Sequence, residues 1–531
     1  MDYPIETFTP AERDTLAPHF TNLDSPVFGL VKLPETVKGA LFARYSRYQG
    51  TLRRLYLEEF ATDAEGATAQ AFDGAEGERA RRLYENVFLG YGDDSVAQLG
   101  GAHIACEWTS NVMTKLLQRG RLASYLEQST RYIPYDTPIG GGVERYRYWR
   151  SPELGPQFEA AMDSLFRTYS EGVPVVRDWA AERFPRAEGQ PDAAYERSLR
   201  AKAFDLMRGL LPAASLSHVG IFASGQAYEH LLLRLMASPL PEARDYGDMI
   251  LGELKSIMPS FVARVERPDR GGEWISYLQG RSAAAERWAR RLGLERPGAA
   301  QQGPSARLVS AEGSEDELLA ALVYEAATVS EHEAQAVVRA LSPDERGEVL
   351  RELVGGRRNR RHRPGRGLEA LRYRFEIVSD YGAFRDLQRH RMLTCQWQRL
   401  TPDLGADVPH ELAEAGIADS YRAALERSSE EYARIVALDR PTLAPYALCL
   451  GFRIRYVLDM NAREAMHLIE LRSGTEGHPG YRTVAHEMHA QIAQTHPGVA
   501  AAMTHVDVNV EPHLERIPGE IRTDSRHAAR A

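Results

Sequence analysis

At 531 residues, with 43% hydrophobic and 26% charged side chains, the chain exceeds the size at which one core stops growing, so two or three globular domains are expected. A net charge of -9 argues against a general nucleic-acid binder, whose surface has to be basic. Cys106, Cys395 and Cys449 stand far apart in no metal-ligand spacing, which suits reduced thiols. Residues 1–6 lack the positive start of a signal peptide, and no apolar run is long enough to span a bilayer. A cytoplasmic chain without membrane contact is therefore expected.

In chain order, residues before about Lys32 are Pro-containing and read as an arm. Leu41, Tyr45, Tyr48, Leu52, Leu55 and Phe60 recur at helical spacing over residues 36–60. Residues 90–95 are a turn cluster in which Ser95 either caps the next segment or faces a ligand. Residues 103–108 alternate as a strand, Ser110 or Asn111 can cap a helix, and that helix runs into Arg119-Gly120-Arg121. The polar stretch after it carries Glu127, Ser129 and Arg131. These groups can meet the donor and acceptor demands of a small polar ligand, or Glu127 can simply pair with Arg131 at helical spacing. Beyond a Pro- and Gly-rich loop at residues 134–142, helical patterns resume from Phe158; Pro212 ends one helix and Gln226 opens another that carries Arg234.

Residues 296–313 shift to Pro, Gly and Gln, the composition of a linker. It separates a first repeat, 1–295, from a second, 314–531. The basic run from Arg357 to Arg366 reads as a solvated loop at the lip of a pocket, with polymer binding the less favoured reading. Residues 372–377 alternate as a strand, Ser379 or Asp380 can cap, and a helix over 382–391 would fan Arg389, His390 and Arg391 around its end, where they grip an extended anion. Asn461 and Glu464 form a capping box. The helix they open puts Ala465, Leu468, Ile469 and Arg472 on one stripe and Arg463 and His467 on another. His486 and His489 lack zinc-peptidase spacing, so no metal is expected. Cys395 reads as a packed thiol rather than a nucleophile.

The strand, cap, helix and Arg-x-Arg layout thus occurs twice, and the chain looks duplicated. The pattern resembles the flavin-dependent thymidylate synthases, whose signature is Arg-His-Arg, a Ser, then Glu, Ser and Arg in a short loop, and a later Asn-Ala-Arg helix ending in Leu-Arg. The second half carries Arg389-His390-Arg391 and Asn461-Ala462-Arg463 through Leu471-Arg472, but its loop reads Thr394, Trp397, Arg399 and Thr401. The first half keeps Ser124, Glu127, Ser129, Arg131 and Tyr132, but has Arg119-Gly120-Arg121 and Gln226-Ala227-Tyr228.

The resemblance implies an α+β fold, helix-rich with an antiparallel sheet in each of two tandem copies. It also implies conversion of dUMP to dTMP with methylenetetrahydrofolate and NADPH, and a homodimer that mimics the family's tetramer. FAD would be held by Arg389, His390, Arg391, Asn461, Arg463, His467 and Ser95. The nucleotide would meet Ser129, Arg131, Glu127 and Arg389, with Arg472 polarising the uracil. Each half lacks part of the motif, so a composite site built from both repeats is expected. The alternative is a non-catalytic or altered-function paralogue that binds flavin, nucleotide or a protein partner.

Overall fold

The computed structural model describes residues 6–24, 28, 30–35, 37–38, 41–42, 51–61, 98–138, 145–296, 303–509 and 513–528. In chain order the elements that position the site are β1 (Gly101–Ser110), α1 (Asn111–Leu117), β2 (Ala123–Glu127), α2 (Gly155–Arg183), α3 (Asp192–Met207), β3 (Leu216–Ser224), α4 (Gly225–Met236), β4 (Ser305–Glu312), β5 (Arg372–Asp380), α5 (Tyr381–Leu387), β6 (Thr394–Trp397), α6 (Ala418–Ala437), β7 (Arg453–Asn461), α7 (Ala462–Arg472) and α8 (Pro479–Thr495). The fold is α+β, helix-rich with two antiparallel sheets ordered β1-β3-β2 and β4-β5-β7-β6. Leaving out the edge strand β4, the two sheets have the same topology: each first strand feeds a short helix and a second strand, and the third strand inserts between them.

The chain turns from strand to helix without a loop at four places, because the last strand residue is itself an N-cap. Ser110 accepts from the Met113 amide at 3.0 Å, Ser224 from Ala227 at 3.4 Å, Asp380 from Ala383 at 2.8 Å and Asn461 from Glu464 at 2.9 Å. Each such cap is worth about 1 kcal/mol. The repeated caps carry the duplication into local structure.

Compactness cuts the chain into two units. One comprises Met1–Thr109, Leu116–Glu127 and His218–Arg296; the other comprises Ser110–Lys115, Gln128–Ser217 and Pro297–Ala531. The cut differs from that of the sequence repeats: residues 128–217, from the first repeat, belong to the compact unit that holds the second. In that unit β5 pairs with β7 from Arg372↔Asn461 to Asp380↔Arg453. Helix α7 therefore starts beside the beginning of β5 and runs back over the sheet, which carries Arg472 toward the turn after α5. Its buried stripe includes Ala465, Leu468 and Ile469.

Several expectations are corrected. The helix over 382–391 stops at Leu387, and Arg389, His390 and Arg391 lie in a tight turn closed by the His390 amide on the Leu387 carbonyl at 3.2 Å. They do not fan around a helix end, because the His390 ring is drawn inward to polar partners. Of the linker at 296–313, Ser305–Glu312 is strand β4, paired with β5 through a register shift between Leu308 and Ser310; Ala306 is buried, and the ladder outweighs the Gly and Pro around it. Residues 297–302 lie outside the described set. Only Leu52–Glu59 of the helix expected over 36–60 is a described helix of its own, capped by Thr51. The turn at 90–95, with Ser95, lies outside the described residues. Among the described residues no helix is long and apolar enough to cross a membrane.

Candidate functional site

All the groups that converge here belong to the second of the two compact units. The sequence places Glu464 three residues after the Asn461 cap, on the buried side of α7. Its carboxylate meets His390 Nδ1 at 3.0 Å, and His390 Nε2 meets Arg472 Nε at 3.0 Å. An arginine Nε only donates, so Nε2 is the acceptor and Nδ1–H donates to Glu464; the network fixes the tautomer. Burial pushes the imidazole well below its ordinary pKa, and Arg472, His467 and Arg389 push the same way. His390 is thus a neutral ring that orients a guanidinium. Arg472 also donates Nη2 to the Asp386 carbonyl at 2.6 Å, which fixes it at both ends.

Asp386 is the hub. Its carboxylate accepts from Arg389 Nη2, lies 3.6 Å from Arg208 Nη1 and lies 3.8 Å from Arg472 Nη1. Burial alone would raise its pKa, but Arg389, Arg472, Arg208 and Arg131 hold it well below the carboxylate range. Arg131 is bound bidentately by Asp205 at 2.7 and 2.6 Å and donates Nη1 to the Tyr481 hydroxyl at 2.9 Å. The Tyr481 ring centre lies 5.9 Å from the Arg131 Cζ and 5.3 Å from that of Arg472. One phenol from α8 is thus shared by an arginine of the first repeat and an arginine of the second.

Arg516 stacks on the Tyr132 ring at 3.9 Å and lies 3.5 Å from Asp205. It is 6% exposed, yet among the described residues none of its guanidinium nitrogens finds a hydrogen-bond partner, and Arg208, at 3% exposed, leaves Nη2 without one. Arg131, Arg208, Arg389, Arg472 and Arg516 thus stand around the carboxylates of Asp205 and Asp386, with the buried Asp380 close enough to Arg208 to feel its charge. Arg208 and Arg516 are buried with donors unfilled, and that calls for an anion.

The other sequence candidates are placed differently. Ser129 Oγ accepts from the Arg131 amide at 3.2 Å and shapes the turn that presents that residue. The Asn461 side chain caps α7, and Arg463 donates to the Pro364 carbonyl at 3.0 Å and to Glu369 at 3.3 Å. His467 stands 5.4 Å ring to ring from His390, and burial lowers its pKa. Arg391 is exposed. Glu127 belongs to the other compact unit, where it accepts from Gln118 at 2.9 Å, so the carboxylate partner of Arg131 is Asp205 and not Glu127. Sequence reasoning missed Asp205, Arg208, Asp386, Tyr481 and Arg516. The spacing Asp205-x-x-Arg208 and Asp386-x-x-Arg389 was a usable signal; Tyr481 and Arg516 gave none.

The sequence matches the family described as thymidylate synthase complementing protein over residues 48–260 and again over 308–498. A UPF0159 protein of Chlamydia muridarum is 37% identical over 529 residues, covering 97% of this chain and 98% of that one. One of Thermoplasma acidophilum is 30% identical over 520 residues, covering 91% and 98%. A solved UMP/dUMP methylase PolB from Streptomyces cacaoi bound with 5-Br dUMP is 18% identical, with a TM-score of 0.32 over 39% of this chain and 97% of that one. The family assignment stands on the two matched segments and the full-length relatives instead. The chain belongs to the thymidylate synthase complementing protein family and carries that unit twice in tandem.

Proposed function

We propose that the protein is an FAD-dependent thymidylate synthase that converts dUMP to dTMP with methylenetetrahydrofolate and NADPH, at a composite site on the arginine cluster. The observation that carries this reading is the shared Tyr481 ring, which brings Arg131 of one repeat and Arg472 of the other to one buried, cation-rich place. Arg131, Arg208 and Arg389 offer charge-assisted donors to a nucleotide phosphate, and Ser129 holds the turn that presents Arg131. Arg472, oriented by His390 and the Asp386 carbonyl, stabilises the negative charge that develops on the uracil as its ring becomes nucleophilic.

The donor set fits an anionic flavin dinucleotide. Arg391 is exposed and without a carboxylate partner among the described residues, the Arg389 side chain is 39% exposed, and His467 is half-buried beside His390. These residues would hold FAD, with Asn461 and Arg463 at the start of the same helix, and the bound flavin would supply the hydride and carrier chemistry. Two chains are expected to pair, which sedimentation would read.

Purified protein should be yellow and should release tritium from 5-tritiated dUMP when methylenetetrahydrofolate and NADPH are supplied. Colourless protein that releases none rejects the assignment. One observation favours the second reading, a non-catalytic paralogue: Arg131 is already matched by Asp205. Under that reading flavin or dUMP binds without turnover.

A further inference from the structure

The arginine-rich loop before β5 is built rather than loose. At one end Arg357, 7% exposed, donates to both oxygens of Glu470 at 2.8 and 2.5 Å, and Glu470 is fully buried. His505 Nε2 lies 3.2 Å from the Arg357 carbonyl. At the other end Arg463 holds the Pro364 carbonyl at 3.0 Å. Both anchors are on α7, seven residues apart, so the loop is stretched along about 10 Å of that helix, with His467 between the anchors.

Between the pins lie Arg358, Arg360, Arg361 and Arg363. None of their side chains forms a hydrogen bond or ion pair with a described residue, although the chain as a whole carries a net charge of -9. Arg363 and Arg360 are close enough to His467 to add to the effect of burial in lowering its pKa. Four like charges on six consecutive residues repel one another, and the two anchored ends limit how far the loop can spread. A compact anion carrying several charges relieves that repulsion.

We propose that residues 358–363 form a lip that binds the pyrophosphate of a dinucleotide whose ring end lies toward His467 and His390. The length of the strip favours this ligand over a polymer. About 10 Å between the pins is the scale of a pyrophosphate and its flanking sugars, whereas the net charge of -9 disfavours a long polyanion. The phosphate chemistry is independent of the thymidylate synthase reading, but naming a flavin or nicotinamide dinucleotide as its source rests on that reading.

The test is calorimetric titration of the full-length protein with ADP, AMP, FAD, NADPH, dUMP and a single-stranded oligodeoxynucleotide, repeated on the R358Q/R360Q/R361Q/R363Q variant. ADP should bind wild type about tenfold tighter than AMP and weaken with salt, and the variant should lose about a hundredfold in ADP affinity while dUMP binding is unchanged. Loss confined to FAD assigns the lip to the flavin, and loss confined to NADPH assigns it to the reductant. Wild type that binds dUMP but not ADP, a variant that binds ADP normally, or an oligonucleotide that binds tighter than ADP overturns the proposal. If ADP binds as expected while dUMP and FAD do not, the lip stands and the thymidylate synthase reading fails.

Discussion

Arg472 in the second repeat and Arg234 in the first stand near the ends of matching helices, yet they meet opposite fates. Arg472 has an imidazole acceptor in His390 and a carboxylate nearby in Asp386. Counting back from the Arg-x-Arg triplets, the first repeat has Gly120 where the second has His390, and Leu116 where it has Asp386. Arg234 is accordingly left with a buried Nε that has no hydrogen-bond partner among the described residues, and burial, followed by the nearby Arg119, lowers its pKa. A Cβ placed on Gly120 would lie 3.7 Å from Arg234 Nη2 but only 2.7 Å from the Tyr125 hydroxyl, which donates to the Gly120 carbonyl at 3.1 Å. Tyr125 has taken the space of the missing imidazole. A matching strand-cap-helix unit therefore supports an oriented guanidinium in one place and a stranded one in the other, and the side chains at two positions, His390 against Gly120 and Asp386 against Leu116, separate them.

The largest expected effect separates the two arginines. Arg472→Ala should lower turnover by about 10²- to 10³-fold in the tritium-release assay, while Arg234→Ala should leave it unchanged; equal losses would break the comparison. Next, Asp386→Ala should cost about 3–5 kcal/mol, because Arg208 and Arg472, both largely shielded from solvent, lose a counter-charge. Denaturant unfolding measures this, with Leu116→Ala as the first-repeat control, which deletes only apolar contacts.

His390 contributes a pH dependence. Its folded pKa is pushed down, so the stability it provides as a neutral acceptor is complete above the ordinary histidine value of about 6.5. That stability is lost as pH falls from there toward the folded value. Thermal melts from pH 8 to pH 5 should fall off below about 6.5 in wild type and stay flatter in His390→Gln, which keeps an acceptor but does not titrate. The smallest effect would sharpen the comparison: Gly120→His combined with Tyr125→Cys gives Arg234 an acceptor and should stabilise by about 1.5 kcal/mol. The backbone of Gly120 is not in the left-handed region, so the histidine fits the chain, and an unstable double variant would show that the first repeat has closed around its loss.

Much of the local structure was legible from the residues. The alternation at 103–108 and 372–377, the caps at Ser110, Asp380 and Asn461, and the paired Arg-x-Arg triplets are short-range signals, governed by backbone amides and by which face an apolar residue takes. Arg389, His390 and Arg472 could be singled out because motif and helical stripe are written along the chain. The end of α5 could not be read, because the helix stops where His390 is claimed by Glu464, 74 residues away. Asp205, Tyr481 and Arg516 carried no local mark, since each matters only through a partner from a distant segment.

The sequence by itself determined that an α+β unit occurs twice and that each copy has lost part of its polar equipment, because periodicity, capping and motif spacing are properties of neighbouring residues. Tertiary structure alone decided that residues 128–217 join the compact unit of the second repeat, so that Arg131 and Arg472 face one tyrosine. It also decided that Asp386 gathers the arginines around it. Charges interact through space over several ångströms whatever their separation along the chain, so their partners are fixed only once packing has brought those segments together.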